Sequence, residues 1–68
     1  MNILEYVKLI LEKVSFDKIL FEKELKKGLS QLGKLDILKL KKWCYATFGE
    51  MYKAVLNKVF RRKVPALG

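Results

Sequence analysis

The chain has 68 residues, 51% of them hydrophobic, and a formal net charge of +8. This length allows one domain with a small core, and the apolar fraction is too high for a disordered chain. It has one cysteine and no histidine, which excludes an internal disulfide, a zinc site built on cysteines and any histidine-dependent catalytic triad. We therefore expect no enzyme, no cofactor, no bound metal and no small-molecule substrate.

The charge is distributed unevenly along the chain. Residues 1–24 carry a net charge of −1, whereas residues 25–68 carry +9. This asymmetry favours an anionic partner for the second half, although net charge also serves solubility alone. Charges interrupt every apolar stretch, so no segment resembles a membrane span. Glu5 and Glu12 lie inside the apolar start of the chain, which is unlike a signal peptide, and we expect a cytoplasmic protein.

Two helices are predicted in the first half of the chain. Asn2 is a typical N-cap for the first, and apolar residues then recur at helical spacing as far as Val14. Asp17 is the expected N-cap of the second helix, which we predict to end near Leu32.

Further signals refine this second helix. Phe16 and Phe21 occupy the two positions of a hydrophobic staple around Asp17. Gly28 falls on its buried face, which predicts close approach of another helix. Gly33 is well placed as its C-terminal cap.

Two more helices are predicted in the second half. Asp36 is the expected N-cap of the third, with Leu35 and Leu40 as its staple pair, and Gly49 is expected to end it. The fourth begins near Glu50 and has the most regular apolar pattern of the chain. Its predicted core residues are Tyr52, Val55, Leu56, Val59 and Phe60.

These elements predict an all-α protein, a compact bundle of four short helices in a single domain at residues 1–64. Residues 65–68 form a loose tail, since Pro65 stops the last helix. The alternative is three helices, with residues 1–32 forming one bent helix. Ser15 and Asp17 argue against that alternative because they interrupt the helical period.

Association with a protein, or with a second copy of the chain, is the function that the sequence favours. Leu9 and Ile19 fall outside the predicted core lines, and aromatic residues are enriched among interface anchors. The candidate partner-binding residues are Leu20, Leu38, Trp43 and Tyr45.

Nucleic-acid binding through the basic second half, residues 39–63, is the alternative. Its candidate residues are Lys39, Lys42, Lys53, Asn57, Lys58, Arg61, Arg62 and Lys63. Neither Gly33 nor Gly49 fits the turn of a helix-turn-helix motif, so that motif is not expected. A membrane-surface role is disfavoured because the apolar face of the last helix is needed in the core.

Two runs of the sequence, FD-x-x-LF-x-KEL-KK and LKKWC-x-x-x-FG, cover much of residues 11–48. With these runs the chain resembles short helical proteins of Bacteroides-type bacteria. The resemblance implies a bacterial, cytoplasmic origin, and it carries over no functional residue. We therefore expect a non-enzymatic helical binding module.

Overall fold

The computed structural model describes residues 2–63, and the side chains of residues 2–61. It contains three helices, α1 (Ile3–Lys13), α2 (Lys18–Leu29) and α3 (Lys34–Lys63). No strand occurs in this part of the chain, so the all-α prediction is confirmed. The predicted tail at residues 65–68 and the stop at Pro65 lie outside the described residues.

The first two helices begin at the residues that the sequence indicated. The Asn2 side chain accepts a hydrogen bond from the Glu5 backbone N–H at 2.9 Å. Asp17 accepts from the backbone N–H groups of Ile19 and Leu20 at 3.0 and 3.1 Å. Each cap pairs backbone donors that have no partner inside the helix, and this fixes where the helix starts.

The staple predicted around Asp17 is not closed. Phe21 is fully buried, whereas the side chain of Phe16 is 80% exposed. The turn between α1 and α2 therefore leaves a large aromatic ring in solvent.

The boundary between α2 and α3 differs from the prediction. Helix α2 ends at Leu29 and not near Leu32, and Ser30 at its end keeps right-handed helical angles. Gly33 does not cap α2, because no described glycine has a positive φ. Instead its carbonyl accepts the first hydrogen bond of α3, from the N–H of Ile37 at 2.9 Å.

The predicted cap of the third helix is consequently wrong. Asp36 lies in the first turn of α3, not before it. A carboxylate at this place still complements the helix dipole. Leu35 is largely exposed while Leu40 is buried, so the two do not form the staple that was predicted.

The prediction of four separate helices is not supported, because the predicted third and fourth helices are the two arms of one kinked helix. Helix α3 continues through Gly49, and its only non-helical angles among the described residues are at Tyr52, with φ −125° and ψ 30°. The number three matches the alternative prediction. The bent helix is α3, however, whereas residues 1–32 form two helices.

The kink folds α3 back on itself. Thirty residues of straight helix would span about 45 Å, yet the longest extent of the molecule is 30 Å. The rings of Tyr45 and Phe60 lie 6.3 Å apart, and the Tyr45 hydroxyl donates a hydrogen bond to Asn57. The arms at residues 34–51 and 53–63 thus pack against each other.

The core is contributed by all three helices. Aromatic rings fill its end near the kink, where the Phe21 ring centre lies 4.6 Å from that of Tyr52 and 5.0 Å from that of Phe48. The core residues predicted for the second arm are confirmed as buried. The buried apolar residues are Leu4, Val7, Leu11, Phe21, Leu25, Leu29, Leu40, Cys44, Phe48, Tyr52, Val55, Leu56, Val59 and Phe60.

Helices α1 and α2 approach each other closely at Gly28. A Cβ atom on Gly28 would lie 2.7 Å from Val7 Cγ1, which is shorter than any normal contact. The predicted close approach of another helix is therefore confirmed. Among the described residues, no helix combines the length and apolar character needed to cross a membrane.

Candidate functional site

Three strongly exposed apolar side chains lie in the α1–α2 turn, at the start of α2 and at the kink of α3. Phe16 in the α1–α2 turn, Ile19 in the first turn of α2 and Met51 at the kink are 80%, 78% and 66% exposed. The Tyr52 hydroxyl donates a hydrogen bond to the Ser15 carbonyl and so joins the turn to the kink. We call Phe16, Ile19 and Met51 the apolar end.

A shallow groove continues the apolar end along α2. It has a volume of about 400 Å³ and is lined by Ile19, Glu22, Lys23 and Lys26. Leu20, a predicted partner-binding residue, is also exposed in this first turn of α2. An apolar side chain beside lysines provides both contact area and charge for a partner.

Sequence reasoning missed two of the three residues of the apolar end. Phe16 was assigned to a staple, and Met51 was given no role. A usable signal existed for Met51, because it precedes the regular apolar pattern of the second arm and falls outside it. The sequence does not show that the α1–α2 turn and the kink are neighbours, because their proximity depends on the hydrogen bond between Tyr52 and Ser15.

The two aromatic residues predicted to bind a partner, Trp43 and Tyr45, are half-buried. The Trp43 ring packs edge-on against Phe48 with ring centres 5.4 Å apart. The Lys8 ammonium lies 5.7 Å from the centre of the Trp43 ring, so α1 partly covers it. Leu38, also predicted to bind a partner, is exposed on the first arm of α3. Partner binding by these residues stays a prediction.

A basic surface lies where the two arms of α3 meet. Tyr45 and Asn57 are hydrogen-bonded across this junction. Lys42 precedes Tyr45 by three residues, and Lys53 and Arg61 each lie four residues from Asn57, spacings that place side chains on one helix face. We call Lys42, Tyr45, Lys53, Asn57 and Arg61 the basic seam.

The charged residues of the seam form no ion pair with any side chain that the structure describes. Lys42, Lys53 and Arg61 are exposed, and none of them pairs with a carboxylate of the described residues. Partial burial raises the pKa of the Tyr45 hydroxyl, and the positive charge of Arg61 opposes this shift. The phenol therefore stays protonated as a hydrogen-bond donor at neutral pH.

The other predicted anion-binding residues lie apart from the seam or outside the described side chains. Lys39 is exposed on the first arm of α3. Lys58 is on the α2 side of the second arm, where its ammonium lies 3.1 Å from the Glu22 carboxylate. The side chains of Arg62 and Lys63 are outside the described residues.

Glu22 forms the main ion-pair cluster between helices. Its carboxylate lies 3.1 Å from both Lys26 and Lys58. Hydrogen bonds from these two lysines lower the pKa of Glu22 below its ordinary value of 4.5. This cluster joins α2 to the second arm of α3, so we assign it to structure.

The described residues contain little that resembles a catalytic or ligand site. Cys44 is fully buried, and burial raises the pKa of its thiol to about 12, which removes the nucleophilic thiolate at neutral pH. Within residues 2–61, no three metal-ligating side chains come together. A cleft between α1 and α2, beside Gly28, has a volume of about 100 Å³, smaller than a typical ligand pocket.

Comparison of the chain with protein-family models, with curated proteins and with solved structures found no match.

Proposed function

We propose that this protein is a non-enzymatic helical interaction module that associates with a protein partner or with a second copy of itself. The observation that carries the proposal is the apolar end, where Phe16, Ile19 and Met51 are each about two-thirds exposed or more. Single exposed apolar residues are ordinary on a protein surface. Three large ones, beside a turn and a kink that one hydrogen bond joins, favour an interface.

The free energy available at the apolar end fits association of moderate strength. Burying a large apolar side chain contributes roughly 1.5–3 kcal/mol. The turn and the kink are held by the Tyr52–Ser15 hydrogen bond, so the end is ordered before binding. A preorganised surface loses less conformational entropy when a partner binds.

The test replaces the apolar end and compares it with a matched control. The variant Phe16→Ser/Ile19→Ser/Met51→Ser removes the three side chains. The control Ile3→Ser/Leu9→Ser/Leu35→Ser removes three exposed apolar residues elsewhere on the molecule. Mass by light scattering across a concentration series then reports self-association.

Loss of association in the first variant but not in the control supports a second copy as the partner. If the wild type stays strictly monomeric at high concentration, self-association is excluded and the partner must be a different protein. Chemical cross-linking in cells then decides: a partner should be captured by the wild type and the control but not by the first variant. Equal capture by all three proteins would contradict the proposal.

A further inference from the structure

The basic seam has no role in the proposed association, and it shares no residue with the apolar end. We infer that the seam formed by Lys42, Tyr45, Lys53, Asn57 and Arg61 is a second interaction surface, which binds the phosphate backbone of a nucleic acid. Tyr45 and Asn57 form its centre, and the three cations surround them.

The kink of α3 assembles this surface. In a straight helix, residues 45 and 57 would be about 18 Å apart along the axis. The kink brings them within hydrogen-bond distance, and it therefore brings Lys42 of the first arm beside the face that carries Lys53 and Arg61. The seam forms only when the two arms of α3 fold together, so the sequence alone does not show which of its residues are neighbours.

The functional groups of the seam suit phosphate oxygens. Asn57 accepts the hydrogen bond of Tyr45 with its side-chain oxygen, which leaves its NH₂ group as a donor. Lysine, arginine and asparagine side chains are common donors to the nucleic-acid backbone. Because contacts to phosphate carry no sequence information, the binding is expected to be independent of base sequence.

The surrounding charge favours a polyanion over isolated carboxylates. Residues 37–63 contain eight basic residues and one acidic residue, Glu50. Exposed pairs between lysine and a carboxylate contribute little, because water and salt screen them. Phosphate contacts on a nucleic acid release condensed counterions, and each one therefore strengthens binding at low salt.

A membrane surface fits the seam less well. Surface-binding helices need exposed apolar residues beside their cations. Tyr45 is the one apolar side chain among the five residues of the seam, and its ring is half-buried.

The experiment measures binding of the full chain to labelled 20-nucleotide mixed-sequence RNA, single-stranded DNA and duplex DNA across a salt series. The seam variant is Lys42→Gln/Lys53→Gln/Arg61→Gln. The control, Lys13→Gln/Lys18→Gln/Lys27→Gln, removes the same charge from one exposed lysine of α1 and two of α2 that form no ion pair within the described residues. Circular dichroism checks that both variants keep the helical fold.

For duplex DNA, removal of three phosphate contacts should make the slope of log affinity against log salt shallower by about 3. Affinity at low salt should fall at least about tenfold in the seam variant. The control should keep a slope close to that of the wild type.

Three results would overturn the inference. The first is no binding to any of the nucleic acids at low salt. The second is an equal loss of binding in the control, which would show that net charge alone is responsible. The third is equal displacement by poly-glutamate or by anionic phospholipid vesicles at the same charge concentration, which would assign the seam to an acidic protein or to a lipid surface.

Discussion

The Tyr45 hydroxyl donates a hydrogen bond to the Asn57 side chain, although both residues belong to the same helix and are twelve residues apart. This contact exists only because α3 kinks at Tyr52. The Tyr45 ring also packs against Phe60 of the second arm. The pair therefore contributes to the closed arrangement of the two arms and to the centre of the basic seam.

Replacing Tyr45 by phenylalanine should lower the free energy of unfolding by about 0.5–1.5 kcal/mol, the usual net value of one hydrogen bond. The ring contact with Phe60 is retained, so the loss measures the hydroxyl alone. Urea denaturation of Tyr45→Phe, Asn57→Ala and the double variant gives the coupling between the two side chains. Strictly additive losses would show that the hydrogen bond contributes nothing to stability.

The local signals of the sequence predicted the first two helix starts and most of the core. Asp17 caps α2 because its carboxylate reaches backbone N–H groups two and three residues later, an interaction that needs no other part of the chain. The core residues follow from helical spacing. Gly28 was also correctly placed on a buried face against another helix.

The helix end predicted at Gly49 was misplaced because the cause of the kink is not local. Glycine weakens a helix at Gly49, but the change of direction occurs three residues later, at Tyr52. There the ring packs on Phe21 and the hydroxyl binds the Ser15 carbonyl, 37 residues earlier in the chain. The apolar end and the basic seam both depend on this kink, so the sequence suggested their residue types without showing which residues meet.

Gly28→Ala should destabilise the protein by about 1–3 kcal/mol, the usual cost of an overpacked core. The new methyl group would lie 2.7 Å from Val7 Cγ1. Valine is rigid at χ1 and has little room to move away. Thermal and urea unfolding measure the loss.

Two variants serve as controls for this prediction. Adding Val7→Ala should recover part of the stability lost in Gly28→Ala, so the double variant should be less destabilised than the sum of the two single changes. Gly49→Ala should stabilise by about 0.5–1 kcal/mol, because a Cβ there meets nothing within 4 Å and alanine favours a helix. Destabilisation by Gly49→Ala would mean that the kink requires this glycine.

The Glu22 cluster should make stability depend on pH in the acidic range. Its pKa in the folded protein is lowered from 4.5 by Lys26 and Lys58. The folded state thus favours the charged carboxylate, so this contribution is present above pH 4.5 and disappears as the pH falls through the lower folded pKa. Glu22→Gln should remove that part of the pH dependence.

Urea unfolding of the wild type and of Glu22→Gln tests this pH dependence. The pH is varied between 2 and 7, a range that brackets the ordinary glutamate pKa of about 4.5. The two stability curves should converge at the acidic end. Glu24→Gln is the matched control, since Glu24 forms no ion pair among the described residues. A parallel offset of the Glu22→Gln curve at all pH values would contradict the ion-pair explanation.

Cys44 should be unreactive in the native protein. Its side chain is fully buried, and burial raises the pKa of the thiol to about 12. A disulfide reagent at pH 8 should therefore modify it slowly in buffer and rapidly in denaturant, where the pKa returns to about 8.5.

The raised folded pKa of Cys44 also predicts that stability falls as the pH rises above the unfolded value, because only the unfolded thiol ionises there. Cys44→Ala should remove this alkaline dependence, although it leaves a small cavity in the core. In the labelling experiment, rapid modification of the native protein would show that this part of the core opens readily.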